Sequence, residues 1–213
     1  MEELKSQFTD IDSLGLCKSG CELFSATYQG NPVIIKAILN HSSYEHEYSD
    51  DWLQSCRPNE VTMYQHMKTI NSLQQYIPKY YTSIMRSNTE DYDHRWLLEE
   101  LEELNGDPQD LGCHAYLVIE RVDGVDLEET FDWSNDKKEI IFNNLLQAVN
   151  ILKEQNIRHG DLMETNVLVR EDCSICLIDF EDSDIDECIP HDYKPYSYES
   201  IRSLVRFIIN NIS

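Results

Sequence analysis

Apolar and polar positions change period several times along the chain, and each change predicts an element. Glu22–Gln29 and Val33–Ile38 are short β-rich runs joined at Gly30-Asn31, a pair that tolerates positive φ, so residues 22–38 predict a hairpin. From Pro58 to Leu73 the period lengthens to that of a helix: Pro58 suits the first turn, and Glu60, Met63, Tyr64 and Met67 fall at i, i+3, i+4 and i+7. Residues 79–86 and 113–122 read as further strands. The polar stretch between them, 87–112, holds an acidic segment, 97–104, whose leucines have helical spacing. A short amphipathic helix is expected there, either a solvated surface helix or a partner-binding insertion. Asp123-Gly124 marks a turn. Lys137–Gln155 predicts a helix with Asp136 and Glu139 in capping-box positions and Ile141, Leu145, Val149 and Leu152 on one face. Two short strands, Asn166–Val169 and Ile175–Ile178, flank a turn at Glu171-Asp172. A closing helix is expected over 198–212, where isoleucine, leucine and valine form an apolar stripe.

Two charged residues break these patterns. Lys36 lies inside the apolar run Val33–Ile38, where the plain account is an edge strand whose lysine points to water. Glu60 lies on the buried stripe of its helix. An unpaired carboxylate there would cost several kcal/mol or be neutralised, so it needs a cation, and Lys36 is the candidate.

Composition narrows the function classes. The 213 residues suit one domain or a two-lobed unit with a sizeable core. Lys and Arg number 17 against 40 Asp and Glu, a formal charge of −23. Such a surface repels phosphate backbones and anionic lipid heads, and with no basic cluster in the sequence, direct nucleic-acid or membrane binding is not expected. The N-terminus has no basic segment followed by an apolar stretch, and runs such as Ala115–Ile119 fall far short of the ~18 residues that a membrane span requires. Seven scattered cysteines do not make a secreted disulfide scaffold, so a reducing compartment is expected: the cytoplasm, with the nucleus as a second location. Cys173 and Cys176 form a C-x-x-C without a second pair at zinc spacing and read as buried thiols. His41, His46, His66, His94, His114 and His191 show no metal-ligand spacing.

The chemistry concentrates in His159-Gly160-Asp161-Leu162-Met163-Glu164-Thr165-Asn166, followed one hairpin later by Leu177-Ile178-Asp179-Phe180. Asp161 and Asn166 flank a loop, and Asp179 ends the return strand, which brings the two ends of the hairpin side by side. Phosphoryl transfer needs such a set: one carboxylate to orient and deprotonate a hydroxyl, and oxygen ligands for a divalent ion that bridges nucleotide phosphates.

This segment resembles the protein-kinase-like superfamily, whose catalytic loop has the form H-[RG]-D-x-x-x-x-N and whose metal aspartate opens D-F-G. The resemblance implies that Lys36 is the strand lysine holding the nucleotide phosphates and Glu60 its helix partner. It also implies Asp161 as catalytic base, Asn166 and Asp179 as ligands of Mg²⁺ or Mn²⁺, adenine near Glu120, and a structural role for His159. The phosphate loop can be laid on Leu14–Gly20 with Cys17 in place of the middle glycine. The preferred alignment places it at Ser19-Gly20, where the sequence looks like the shortened loop of small atypical kinases. Only 34 residues follow Asp179, no A-P-E-like segment is present, and Gly160 stands where conventional kinases carry arginine. These features resemble the RIO kinases and, more closely, the small KEOPS-associated kinase, although Glu181 replaces the D-F-G glycine and the basic tail of the KEOPS kinase is absent.

The implied fold is α+β: a minimal bilobal protein-kinase-like domain with a sheet-rich N-lobe over about 1–121 and a short, mainly helical C-lobe over about 122–213. The implied function is an ATP-dependent, Mg²⁺-requiring serine/threonine kinase acting on a partner protein or on itself, or a slow ATPase. His-Gly-Asp and Ile178-Asp179-Phe180-Glu181 also resemble aminoglycoside and choline phosphotransferases, which keeps a small-molecule acceptor open. The opposing reading is a kinase-shaped scaffold that acts by binding. Retention of Lys36, Glu60, Asp161, Asn166 and Asp179 argues against it, because a scaffold has no chemical need for base and metal ligands together.

Overall fold

The computed structural model describes residues 8–16, 21–39, 60–85, 113–130 and 132–185. They form a mixed α+β structure of ten strands and two α-helices, divided between two compact units. Residues 8–16, 21–39, 80–85 and 113–121 form the first, and residues 60–79, 122–130 and 132–185 the second. The expected helices over 97–104 and 198–212 lie outside the described residues, as do Ser19 and Gly20.

The first unit is an antiparallel sheet of five strands, β1 (Phe8–Leu16), β2 (Glu22–Tyr28), β3 (Asn31–Leu39), β4 (Tyr80–Met85) and β5 (Cys113–Glu120), in the order β1-β2-β3-β5-β4. Alternation along β2 and β3 sends Phe24, Ala26, Val33, Ile35 and Ala37 to one face. There they join Phe8, Ile84, Tyr116 and Val118 in a buried apolar cluster. Phe8 meets Tyr28 at 4.5 Å between ring centroids, and Tyr28 meets Tyr81 edge-on at 5.7 Å. The hairpin forms as expected, but its turn is shifted by one residue. Tyr28 pairs with Asn31, and the positive φ angles fall on Gln29 (51°) and Gly30 (77°). The Asn31 side chain fixes that register by donating to the carbonyls of Gln29 and Tyr28, at 3.1 and 3.4 Å.

β1 has no counterpart in the sequence reading. Its alternation is broken by register shifts between Thr9 and Asp12 and between Ser13 and Gly15, with positive φ at Asp10 and Gly15. Such bulges suit an edge strand that must not recruit another. Of the residues 14–20 on which one alignment lays a phosphate loop, Leu14, Gly15 and Leu16 belong to β1 and 17–20 lie outside the described residues.

In the second unit, helix α1 (Glu60–Met67) ends where a turn begins, and residues 71–73 form a separate 3₁₀ turn, so the helix expected over 58–73 is shorter. Helix α2 (Asn135–Glu154) buries Ile141, Leu145, Ala148 and Leu152. Ala148 takes the place expected of Val149, which is half-buried. The capping box is also corrected: Ser134 is the N-cap and makes no side-chain cap bond, so Asp136 lies in the first turn instead. Strands β6 (Val125–Asp126), β8 (Val167–Val169) and β9 (Ile175–Leu177) form one antiparallel sheet, and β7 (Ile157–Arg158) pairs with β10 (Asp184–Ile185). Of these short strands the sequence reading expects β8 and β9, whereas β6, β7 and β10, of two residues each, are too short to show a period.

Residues 60–79 join this second unit, although the sequence reading groups them with the first. Their hydrogen bonds explain why. The amide of Leu177 donates to the Tyr76 carbonyl at 2.7 Å, the Tyr76 hydroxyl donates to Gln147 at 2.8 Å, and Tyr64 meets Phe180 edge-on at 5.6 Å.

Candidate functional site

The β8–β9 hairpin builds the site by carrying its ladder one rung past the strands. Val167 pairs with Leu177, and the amide of Ile178 donates to the Asn166 carbonyl at 3.0 Å. Asn166 and Asp179 thus sit on neighbouring rungs, as the sequence reading of the hairpin expects. Cys173 and Cys176 are buried thiols within it that form no disulfide, and Asn144 of α2 anchors the turn by donating to the Cys173 carbonyl at 2.9 Å.

The loop from Asp161 to Asn166 is closed by its own hydrogen bonds. The Met163 amide donates to the Asp161 carbonyl and the Asn166 amide to the Met163 carbonyl, both at 3.0 Å. The Asn166 side chain donates through Nδ2 to the Asp161 carbonyl at 2.8 Å and to Asp161 Oδ2 at 3.0 Å. Both of those atoms are acceptors, which settles the orientation of the amide. Its nitrogen is committed to Asp161, and its oxygen is the end with a cation ligand's chemistry. Asp179, one residue beyond the partner of Asn166 on the ladder, carries the other carboxylate, and oxygen donors of this kind suit a hard divalent ion, although no group of three or more His, Cys, Asp or Glu that could hold a metal ion is found among the described residues.

Asp179 has a φ of 63°, the left-handed region that side-chain-bearing residues seldom adopt. Buried groups hold the peptides on both sides of it. His159 contacts the Ile178 carbonyl through Nε2 at 3.0 Å, and the Phe180 amide donates to Glu60 Oε1 at 3.1 Å. Burial pushes the His159 imidazole down to about 4, against opposing pulls from Asp179 and the Ile178 carbonyl. The neutral ring therefore donates from Nε2. Its face lies 4.5 Å from Phe180, and Ser183 Oγ donates to its carbonyl at 2.8 Å. The role is structural, as the resemblance implies.

Gly160 has a sharper reason than kinship. Its φ is +83°, and a Cβ at this position would run into the backbone carbonyl of Asp182. Any side chain, arginine included, is barred by that carbonyl. Sequence reading also misses Arg158 and Asp184, which pair across β7 and β10 with Nη2 to Oδ2 at 2.8 Å, both largely buried. The signal was faint: an arginine directly before His159-Gly160-Asp161, and one aspartate within an acidic run. Tyr64, which sequence reading places only on a stripe, is fully buried beneath Phe180. Burial, then Glu60, Cys176 and Asp179, hold its hydroxyl well above the usual phenol range.

Lys36 belongs to the first unit. Its neighbours are Leu23 on β2 and Leu117 on β5, so β3 is an interior strand, and the lysine is buried, 6% exposed. The edge-strand account of Lys36 does not hold. Alternation places it on the sheet face opposite Val33, Ile35 and Ala37. Glu120 ends β5 opposite Val33, half-buried. Glu60, 2% exposed, starts α1 in the second unit beside Phe180. The structure brings Asp161, Asn166, Asp179, His159 and Glu60 together within the second unit.

Residues 103–187 match the model of the lipopolysaccharide kinase (Kdo/WaaP) family, an atypical protein-kinase-like family of phosphotransferases. The matched segment contains Glu120, Asp161, Asn166 and Asp179. The chain is also 30% identical over 119 residues to an uncharacterized protein of Dictyostelium discoideum. That similarity covers 54% of this chain and 12% of the Dictyostelium protein, so the chain spans a small part of its relative.

Proposed function

We propose that this chain is an ATP-dependent phosphotransferase of the atypical kinase type, transferring phosphate to a serine or threonine hydroxyl of a partner protein or of itself. The observation that carries this reading is the coupling of Asp161 to Asn166 in one closed loop, with Asp179 on the neighbouring rung. Asp161 orients the acceptor hydroxyl and takes its proton. Asn166 and Asp179 hold Mg²⁺ or Mn²⁺, which when bound neutralises charge on the nucleotide phosphates. Lys36 holds the phosphates with Glu60 as its partner, in a bilobal arrangement with Ser19-Gly20 as the phosphate loop and adenine near Glu120. Kinship with the KEOPS-associated and RIO kinases, and residence in a reducing compartment, belong to the same reading. The charge of −23 supports a protein acceptor or partner over nucleic acid or membrane.

A second reading has support in the description of the matched family: the acceptor hydroxyl belongs to a saccharide. One experiment addresses both. Labelled ATP is incubated with wild type and Asp161→Ala, with and without Mg²⁺ or Mn²⁺, and label is followed into protein and into added lipopolysaccharide. Transfer should fall roughly 10²–10⁴-fold in Asp161→Ala while nucleotide binding persists. Wild-type turnover in the variant would refute the mechanism, and label in lipopolysaccharide rather than protein would select the second reading.

A further inference from the structure

We infer that Met163 selects the acceptor, and that the acceptor is a basic peptide segment carrying a bulky apolar side chain beside its phosphorylated serine or threonine; this rests on the kinase reading above. Met163 is 43% exposed, one of four large hydrophobic residues that are exposed among the described residues, with Leu14, Ile140 and Leu146. The other three lie on β1 and α2. Met163 alone lies in the loop between Asp161 and Asn166.

Its backbone is fixed on both sides, because its amide donates to Asp161 and its carbonyl accepts from Asn166. The following residues, 164–166, form a 3₁₀ turn. A side chain held so close to the base is carried to the same place whenever the loop is formed. Leu162, its neighbour, is buried at 4% exposed and serves the core, so the exposure of Met163 is not shared by the loop as a whole. Leaving a thioether in water where a polar residue would fit gives no folding advantage. A flexible, polarizable side chain with almost no hydrogen-bonding capacity recognises apolar groups of varied shape.

Charge decides the rest of the acceptor. The loop carries Asp161 and Glu164, and the Asp182 carbonyl abuts Gly160, which places the Glu181-Asp182 turn alongside. A phosphorylated glycolipid would be repelled by this surface, and a Lys- or Arg-containing peptide would be drawn to it. An apolar contact set among carboxylates matches a peptide with an apolar residue among basic ones.

The test uses the full chain and synthetic serine peptides of constant basic charge, in which the residue flanking serine is Leu, Phe, Ala or Glu. Peptide phosphorylation and peptide-independent ATP hydrolysis are measured for wild type, Met163→Ala and Met163→Leu. Wild type should favour Leu or Phe over Ala by about tenfold in kcat/KM, the lower end of discrimination by one apolar contact. Met163→Ala should raise peptide KM with little change in kcat and bring the preference within about twofold, while Met163→Leu retains it. No flank preference in wild type, an unchanged preference in Met163→Ala, or better labelling of lipopolysaccharide than of any peptide would overturn the assignment. Asp161-dependent ATP turnover without peptide labelling would overturn it and leave the kinase reading standing. Absence of any Asp161-dependent turnover would overturn both.

Discussion

Glu60 and Phe180 stand 120 residues apart in the chain, yet the Glu60 carboxylate accepts the Phe180 amide proton at 3.1 Å in the buried interior. That bond fixes the peptide that follows Asp179, whose left-handed backbone would otherwise relax toward a commoner conformation. Glu60→Ala removes the acceptor and leaves a buried N–H without its bond, at a cost of about 1–3 kcal/mol. Glu60→Gln keeps an acceptor oxygen and should lose less. Urea denaturation of the two variants checks this, and equal losses would show that the charge alone matters.

Gly160 should tolerate no replacement. Gly160→Ala meets both a φ of +83° and the Asp182 carbonyl, so a loss of roughly 2–4 kcal/mol is expected. Gly160→Arg, which introduces the residue of conventional kinases, should fare no better. Thermal melts of the two variants beside wild type check this. A melting point for Gly160→Arg equal to that of wild type would show that the turn at Asp182 yields.

The imidazole of His159 makes stability depend on pH. In the folded chain it protonates near 4, and in the unfolded chain near its ordinary 6.5. Above pH 6.5 both states are neutral and the full contribution is present. As pH falls from 6.5 to 4 the unfolded chain gains a proton that the folded chain does not, and stability drops by up to about 3 kcal/mol. Below pH 4 this contribution is flat. Denaturation of wild type and His159→Gln at pH 7.5 and 4.5 isolates the effect, because the carboxylates titrate in both proteins. An equal pH response would show that another group carries it.

Glu181 stands where the D-F-G motif that this segment resembles has its glycine, and its φ is not positive. The left-handed residue of this turn is Asp179 itself. No glycine is required at 181, so Glu181→Gly should keep phosphoryl transfer within about tenfold, or roughly 1.4 kcal/mol, whereas Asp179→Ala abolishes it. If both variants were inactive and both lost metal affinity in a titration, Glu181 would be a ligand.

The candidate site residues were legible because they contradict their surroundings. A lysine in an apolar strand, a glutamate on a buried stripe, and an Asp-Asn-Asp spacing across a short hairpin each break a local pattern; Glu60 accepts the Phe180 amide and Asn166 donates to Asp161, which accounts for two of them. What stayed hidden obeyed no period. β1 is interrupted by two bulges, and β6, β7 and β10 are two residues long, so the alternation that reveals a strand never develops. Arg158 and Asp184 meet only through the pairing of two such strands. The importance of Gly160 depends on a carbonyl at residue 182, which no local reading supplies.

The strand order also governs how the chain can be assembled. β3 pairs on one side with β2, which directly precedes it, and on the other with β5, which begins at Cys113. During synthesis the Lys36 strand therefore waits with one edge unfilled while more than seventy residues emerge, including residues 60–79, which belong to the other unit. Neither unit is contiguous. A protein cut at residue 122 would leave one fragment with α1 but no Phe180 to bind it, and the other with Phe180 but no Glu60.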